Sequence, residues 1–263
     1  MQFLTRSTLS CALVLAGASA AQAGVDTLSM QVEHADYDAA RGRRDIVGIS
    51  VAGSTGDSRW VLETAHGQRD FGNVAYSGTR AGASLHHRWN GRLSTRTVAR
   101  FSDDDPVFAN REIGHDFTLV VLPKTVLSIG GRYAEYFGST YVAGWSAGAG
   151  YYFPRVTAHY RYSRHHLSTG GNGHGHTLSL RLKDAQGPGS SQLWLGSGTS
   201  AYAPDMDPLL LRDNRSTSAF LRRNQPIGGG HLTLNAGVGK TWHETPFEKY
   251  TSLGSHLGLT YHW

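Results

Sequence analysis

The stretch RVTAHYRYSRHH, residues 155 to 166, sets Val156, Ala158, Tyr160 and Tyr162 on one face of an extended strand and Thr157, His159, Arg161 and Ser163 on the other. Period-2 alternation of this kind is demanded of a strand that shows one face to lipid and the other to a wet interior. The same reading fits HLTLNAGVGKTW, with Leu232, Leu234, Ala236 and Val238 against Thr233, Asn235, Gly237 and Gly239. In HTLSLRLK, Leu178, Leu180 and Leu182 oppose Ser179, Arg181 and Lys183, and in LSTRTVARF, Leu93, Thr95, Thr97 and Ala99 oppose Ser94, Arg96 and Arg100. A half-buried sheet in a soluble protein would give the same pattern within one strand, so the connections have to decide.

Tight turns alternate with longer polar loops along the chain. The short set is Gly56 to Arg59, NGR at 90 to 92, PKT at 123 to 125, FPR at 153 to 155, QGPGS at 186 to 190 and PIGGG at 226 to 230. The long set is DAARGRR at 38 to 44, RDFGN at 69 to 73, DDDPVFANR at 103 to 111, residues 137 to 140, HHLSTGGNGHG at 165 to 175, PDMDPLLLRDN at 204 to 214 and ETPFEK at 244 to 249. These thirteen connections separate fourteen strands, predicted at 27–37, 45–55, 60–68, 74–89, 93–102, 112–122, 126–137, 140–153, 155–165, 176–185, 191–202, 215–225, 231–243 and 250–263. The pattern predicts an all-β fold, an antiparallel up-and-down transmembrane β-barrel, with twelve strands as the second count; single-chain bacterial barrels hold even numbers.

Composition agrees. Of 263 residues, 39% are hydrophobic, 33 are glycine, and mean hydropathy is −0.35, yet there are 6 Trp, 12 Tyr and 9 Phe, too many rings to leave in water. No segment beyond the N-terminal stretch approaches the run of roughly 20 apolar residues that a membrane helix needs. Residues 1–23 read as a cleaved signal peptide: Arg6, an apolar run from Ala12 to Ala20, then Ala21 and Ala23 before the cut. The domain then spans 24–263. The one cysteine, Cys11, leaves with the leader, so no disulfide is expected. Losing Arg6 lowers the formal net charge from +5 to +4.

Rings fall where membrane interfaces should be, with Trp60, Trp89, Phe153, Tyr261 and Trp263 near the short turns and Phe101, Tyr133, Tyr162 and Trp242 near the long loops. Trp194 breaks the pattern, pointing inward if Leu193 and Leu195 point out, and reads as lumen filling. The expected orientation places both termini and the short turns in the periplasm and the long loops outside the cell.

Several stretches resemble the YaiO family of outer-membrane β-barrel proteins: LSTRTVARFSDDDPVFANRE (93 to 112), LPKTVLSIGGRYAEYF (122 to 137), TAHYRYS (157 to 163) and SQLWLGSGTSAY (191 to 202), together with the closing strand. The resemblance implies an outer-membrane barrel and carries over no catalytic residues. The HHLSTGGNGHGH loop looks like a departure from the family pattern.

The expected lumen lining is Glu33, Glu63, Arg80, Arg88, Arg96, Arg100, Asp116, Arg132, His159, Arg161, Arg181, Lys183 and His256. Cations outnumber carboxylates, which favours anionic or saccharide solutes passing through a small pore; the competing reading pairs the arginines with the carboxylates in a plugged interior. His165, His166, His174 and His176 are weak metal-ligand candidates, set against a solvated glycine-rich loop. SDDDPVF is either a cation site shared with lipid phosphates or an Asp-Pro turn. A lipid-modifying enzyme would need a pair such as His166 with Ser168 or His243 with Glu244, and neither has a motif around it. The three leucines after Pro208 should cover the barrel mouth or lie against lipid. No cofactor and no nucleic acid is expected; the expected partners are outer-membrane lipids including lipopolysaccharide, and the barrel-assembly machinery. The assembly signal would be His256, Gly258, Tyr261 and Trp263 in HLGLTYHW, whose strand should pair with the first near Leu28 to Val32.

Overall fold

A computed structural model describes residues 24–38, 41–72, 74–103, 105–168, 170–199 and 215–263. Residues 1–23, read above as a signal peptide, and the three leucines after Pro208 lie outside the described residues. Fourteen strands run β1 (Val25–Tyr37), β2 (Arg43–Thr55), β3 (Ser58–Asp70), β4 (Ala75–Arg88), β5 (Leu93–Ser102), β6 (Arg111–Leu122), β7 (Thr125–Tyr136), β8 (Thr140–Tyr152), β9 (Val156–Leu167), β10 (Asn172–Lys183), β11 (Ser190–Thr199), β12 (Arg215–Ile227), β13 (Leu232–Glu244) and β14 (Lys249–His262). Each is antiparallel to the next, and β14 returns to β1, so the sheet closes into a barrel of fourteen strands, not twelve.

The closing pair runs from Thr27↔His262 to Tyr37↔Ser252, with Leu28↔Tyr261 and Val32↔Leu257 in the segment predicted from sequence. Closure leaves no strand with a free row of N–H and C=O groups, which in hydrocarbon would find no partner. Outward positions carry the apolar alternates: Met30, Val47, Leu62, Leu85, Ile113, Ile129, Leu221, Val238 and Leu257 are all exposed. An apolar band running round the whole wall is intolerable in water and required in lipid. Rings flank the band. Trp89, Phe153, Tyr261 and Trp263 stand exposed at the tight-turn end, and Phe101, Tyr133 and Trp242 at the loop end.

The loops differ less in length from the turns than the sequence suggested. At the loop end β2, β3, β6, β9, β10, β13 and β14 extend further than expected, leaving connections at 38–42, 71–74, 103–110, 137–139, 168–171 and 245–248. The largest correction is at 165–175: β9 runs to Leu167, β10 starts at Asn172, and Asn172↔His166 through Gly175↔Ser163 are paired. A solvated glycine-rich loop was expected there. Ladder pairing to β9 holds the glycines extended, and the turn keeps two glycines with positive φ, Gly170 (+90°) and Gly171 (+106°). At the opposite end, Lys124 in the Pro123–Lys124 turn has φ +71°, the one non-glycine among the described residues with positive φ.

Candidate functional site: the barrel lumen

Strand parity fixes what faces inward, and the register aligns these residues in rows around the wall. One row reads Glu63↔Gly82↔Arg100↔Glu112 across β3 to β6. Arg100 reaches over Gly82 to donate from Nε to Glu63 at 2.6 Å, and on its other side donates to Glu112 at 3.3 Å. A Cβ on Gly82 would stand 2.9 Å from the Arg100 side chain and 3.0 Å from the Glu63 carboxylate, so glycine is what lets the bridge pass. Arg132 Nε meets Glu112 at 3.1 Å, and Arg80 lies 3.8 Å from Glu63. The result is a continuous ladder, Arg80–Glu63–Arg100–Glu112–Arg132, along one wall. Further round, Asp116 on β6 meets Arg161 on β9 at 3.0 Å across two intervening strands. Gly130 on β7 makes this possible: a Cβ there would collide with the Asp116 carboxylate.

The opposite wall has a different character. Its row runs Arg181↔Gln192↔Arg222↔Gly237↔His256↔Glu33 across β10 to β14 and into β1. His256 Nδ1 lies 3.8 Å from Glu33. The next row toward the loop end holds Trp194↔Phe220↔Gly239↔Gly254. Trp194 therefore points inward, its ring 5.6 Å from that of Phe220. A cavity of about 410 Å³ opens before these two rows.

Arg96, Arg181 and Lys183 face inward near the tight-turn end, exposed and without an ion pair among the described residues. Arg59, inward on β3, joins them. His159 also faces inward, two residues from Arg161. Arg88 has inward parity but stands at the rim, where its guanidinium holds Asp57 of the turn at 3.0 Å, so it belongs to the mouth and not the wall.

At the loop end, side chains from the described loops and strand ends turn into the lumen. The 103–110 loop folds inward and buries Val107 and Phe108 against Ile46 and Ala65. Asp105 organises that turn by accepting from the backbone N–H groups of Val107 and Phe108, and Arg80 stacks 4.8 Å over the Phe108 ring. Of the two readings of SDDDPVF, this is the turn. Beside it, His243 lies flat on Tyr250 at 4.5 Å, Arg41 over Tyr250 at 4.2 Å and Arg69 over Tyr37 at 3.9 Å. Arg69 also donates to the carbonyl oxygens of Arg41, Arg43 and Asp70.

The four clustered histidines are separated by the pleat, because successive residues of a strand point to opposite faces. His165 faces inward near Ser163; His166, His174 and His176 face outward. His166 contacts Asn172, His174 contacts Thr199, and His176 lies 2.7 Å from the Tyr160 hydroxyl. No group of three or more metal-ligating side chains occurs among the described residues. The pleat also splits His243, inward, from Glu244, outward and paired with Lys249 at 2.9 Å. Ser168 accepts from the Tyr141 amide and closes a loop, while His166 contacts Asn172.

Sequence reasoning missed Glu112 and Arg222. Glu112 shares the parity of Asp116 four residues on, which was the available signal. In the pair Arg222–Arg223 the outward Leu221 decides which arginine turns in; Arg223 instead binds Asp184 below the tight-turn end, at 2.5 and 2.7 Å. That bidentate contact holds the Asp184 carboxyl below its usual range.

The family model described as the YaiO membrane beta barrel domain matches residues 25–205. Among solved structures the chain is similar to the CymD monoaromatic hydrocarbon channel, at 10% identity over 91% of this chain and 88% of that one, with a TM-score of 0.65. It is similar to the Ralstonia pickettii toluene transporter TbuX at 7% identity, covering 91% and 90%, with a TM-score of 0.60. It is also similar to an anion-selective porin from Comamonas acidovorans at 10% identity, covering 91% and 98%, with a TM-score of 0.50. At these identities the likeness is one of fold, an outer-membrane barrel.

Proposed function

Because the chain belongs to the YaiO family of membrane β-barrels, and so to the outer membrane, we propose that it is a small pore or transport component for anionic or saccharide solutes. The observation that carries this is the division of the lumen cations. Arg80, Arg100, Arg132 and Arg161 are bound to carboxylates and serve the wall, whereas Arg96, Arg181 and Lys183 have no ion pair among the described residues and present their charge to the passage. Fixed cations lining a wet constriction lower the entry barrier for anions and raise it for cations.

The tight turns and both ends of the chain face the periplasm in this reading, with the loops outside. Outward-pointing Arg43, Arg111, Arg164 and Arg215 at the loop end then meet the phosphates of lipopolysaccharide, and the loop-end rings lie at the headgroup level. The closing strand presents Tyr261 and Trp263 outward, edge to face at 5.1 Å, with His256 and Gly258 inward; this is the edge offered to the barrel-assembly machinery.

Purified protein in planar bilayers tests the reading. We expect steady conductance with anions favoured over cations, and a lower anion preference in an Arg96→Ala, Arg181→Ala double variant. Absence of current at any voltage would sink the pore. A second reading, a closed barrel acting through its surface loops, draws support from the Val107–Phe108 plug; it predicts current only when that loop is loosened.

A further inference from the structure

The wall facing the cavity combines features that the salt-bridged wall lacks. Trp194 and Phe220 stand side by side in one row, and the positions beside them, Gly239 and Gly254, carry no side chain to fill the space in front. The Phe220 ring lies over the backbone of β13: a Cβ on Gly237 or Gly239 would sit 2.6 Å from its ring carbons. The Phe220 ring is thus laid against the wall and the Trp194 ring stands beside it, tilted by 51°, the pair forming an aromatic shelf that lines the cavity.

Directly below the shelf, the adjacent row brings Arg222, His256 and Glu33 together. The Nε of Arg222 and the Nε2 of His256 are both buried and without a hydrogen-bond partner among the described residues. Such nitrogens cost free energy unless an acceptor reaches them, and their presence at a cavity marks where an acceptor should sit. The cavity, about 410 Å³, lies within the range of roughly 300 to 1,000 Å³ usual for small-ligand sites.

We propose that this shelf is a binding subsite for an acidic sugar, a pyranose bearing a carboxylate, and that it is the point at which the pore selects its solute. A pyranose has a face of C–H groups that packs on a flat aromatic ring, and a rim of hydroxyls that both donate and accept. Trp194 and Phe220 take the face. Glu33 accepts from a hydroxyl, and Arg222 takes the carboxylate in a charge-assisted contact. A neutral sugar would leave the Arg222 charge unpaired, and a planar hydrocarbon would leave both the Arg222 Nε and the His256 Nε2 without an acceptor; both are discriminated against for that reason. The inference rests on the pore reading for its purpose but not for its measurement.

The test uses mature protein in detergent micelles, its fold checked by heat-modifiable gel mobility. Binding of galacturonate oligomers is followed by calorimetry and tryptophan fluorescence, with neutral malto-oligomers of the same length as comparison. Tighter binding of the acidic oligomer is expected. Arg222→Gln should weaken it roughly tenfold to a hundredfold, the loss of one charged hydrogen bond, and bring it level with the neutral sugar. Trp194→Ala should weaken both sugars; Phe220→Leu serves the same purpose if the Trp194 variant does not fold. Equal affinity for the two oligomers, or acidic binding that survives both Arg222→Gln and a shelf substitution, overturns the proposal. Selective binding by a protein that conducts no current supports the site and removes the pore. Current without selective binding keeps the pore and removes the site.

Discussion

Glu112→Ala is the sharpest probe of how the lumen divides its charges. Glu112 joins Arg100 at 3.3 Å and Arg132 at 3.1 Å, and its side chain is only 15% exposed. A hydrogen bond to a charged group contributes about 1.5–3 kcal/mol when protected from water. The contact with Arg132, itself 43% exposed, must be discounted toward the ~0–1 kcal/mol of a solvated pair. Arg100 keeps Glu63 at 2.6 Å, so it is not left bare. Together these give an expected loss of about 1.5–4 kcal/mol. The assay is urea unfolding in lipid vesicles, where the midpoint should fall with the slope unchanged. In the same variant one negative charge leaves the wall, so anion preference in bilayers should rise. Arg96→Ala is the matching control: with no ion pair among the described residues to break, it should leave the midpoint within about 0.5 kcal/mol of the parent and lower anion preference. If Glu112→Ala unfolds at the parental midpoint, or if Arg96→Ala destabilises as much, the distinction between wall arginines and passage arginines is wrong.

Three further outcomes are expected. Gly130→Ala should destabilise by about 1–3 kcal/mol in the same unfolding assay by pushing Asp116 off Arg161; Gly114→Ala, whose Cβ would meet nothing nearer than 3.7 Å, should cost far less. Phe108→Ala, which empties the contact with Ile46, Ala65 and Arg80, should raise single-channel conductance, and unchanged conductance would show that the 103–110 loop does not constrict the passage. Asp184 has a lowered pKa in the folded state, so its contact with Arg223 stabilises above the ordinary carboxylate range and is lost as pH falls through the lowered value. Asp184→Asn should therefore flatten the acid side of the stability profile while leaving its alkaline side unchanged in shape; an identical acid slope in both proteins would count against the linkage.

The wall of this barrel is legible in sequence because its physical requirement is local. A strand between lipid and water must alternate, so RVTAHYRYSRHH and HLTLNAGVGKTW declare their faces residue by residue, and Trp194 betrays its inward direction by sitting between Leu193 and Leu195. The interior is less legible because it depends on which residues the closed register sets side by side. Nothing near Gly130 or Gly82 in the chain announces that a salt bridge passes over it; only the alignment of three or four strands does. The same applies to Trp194 and Phe220, which become neighbours through β11–β12 pairing. The 165–175 segment misled for a related reason. Glycine and asparagine weaken a strand's own preference, but a partner strand with an aligned ladder overrides propensity. The inward turn of Val107 and Phe108 had a signal in their apolar character, which a freely solvated loop would not favour.

The β1–β14 seam has a temporal consequence. Every other strand pairs with its immediate successor, whereas Ser29 and Thr260, whose hydroxyls lie 2.9 Å apart across the seam, are 231 residues distant along the chain. Bringing ends that far apart together costs about 5 kcal/mol in chain entropy if nothing intervenes, against about 3 kcal/mol for a hairpin of some twenty residues. Hairpins therefore zip early, and each one that forms shortens the effective distance still to be closed. On chain entropy alone, the expected order is many fast local steps followed by one slow joining event. Substitutions at Ser29 or Thr260 should retard that last event while leaving the earlier ones at their normal pace, so the clock of this barrel's maturation is set at its seam.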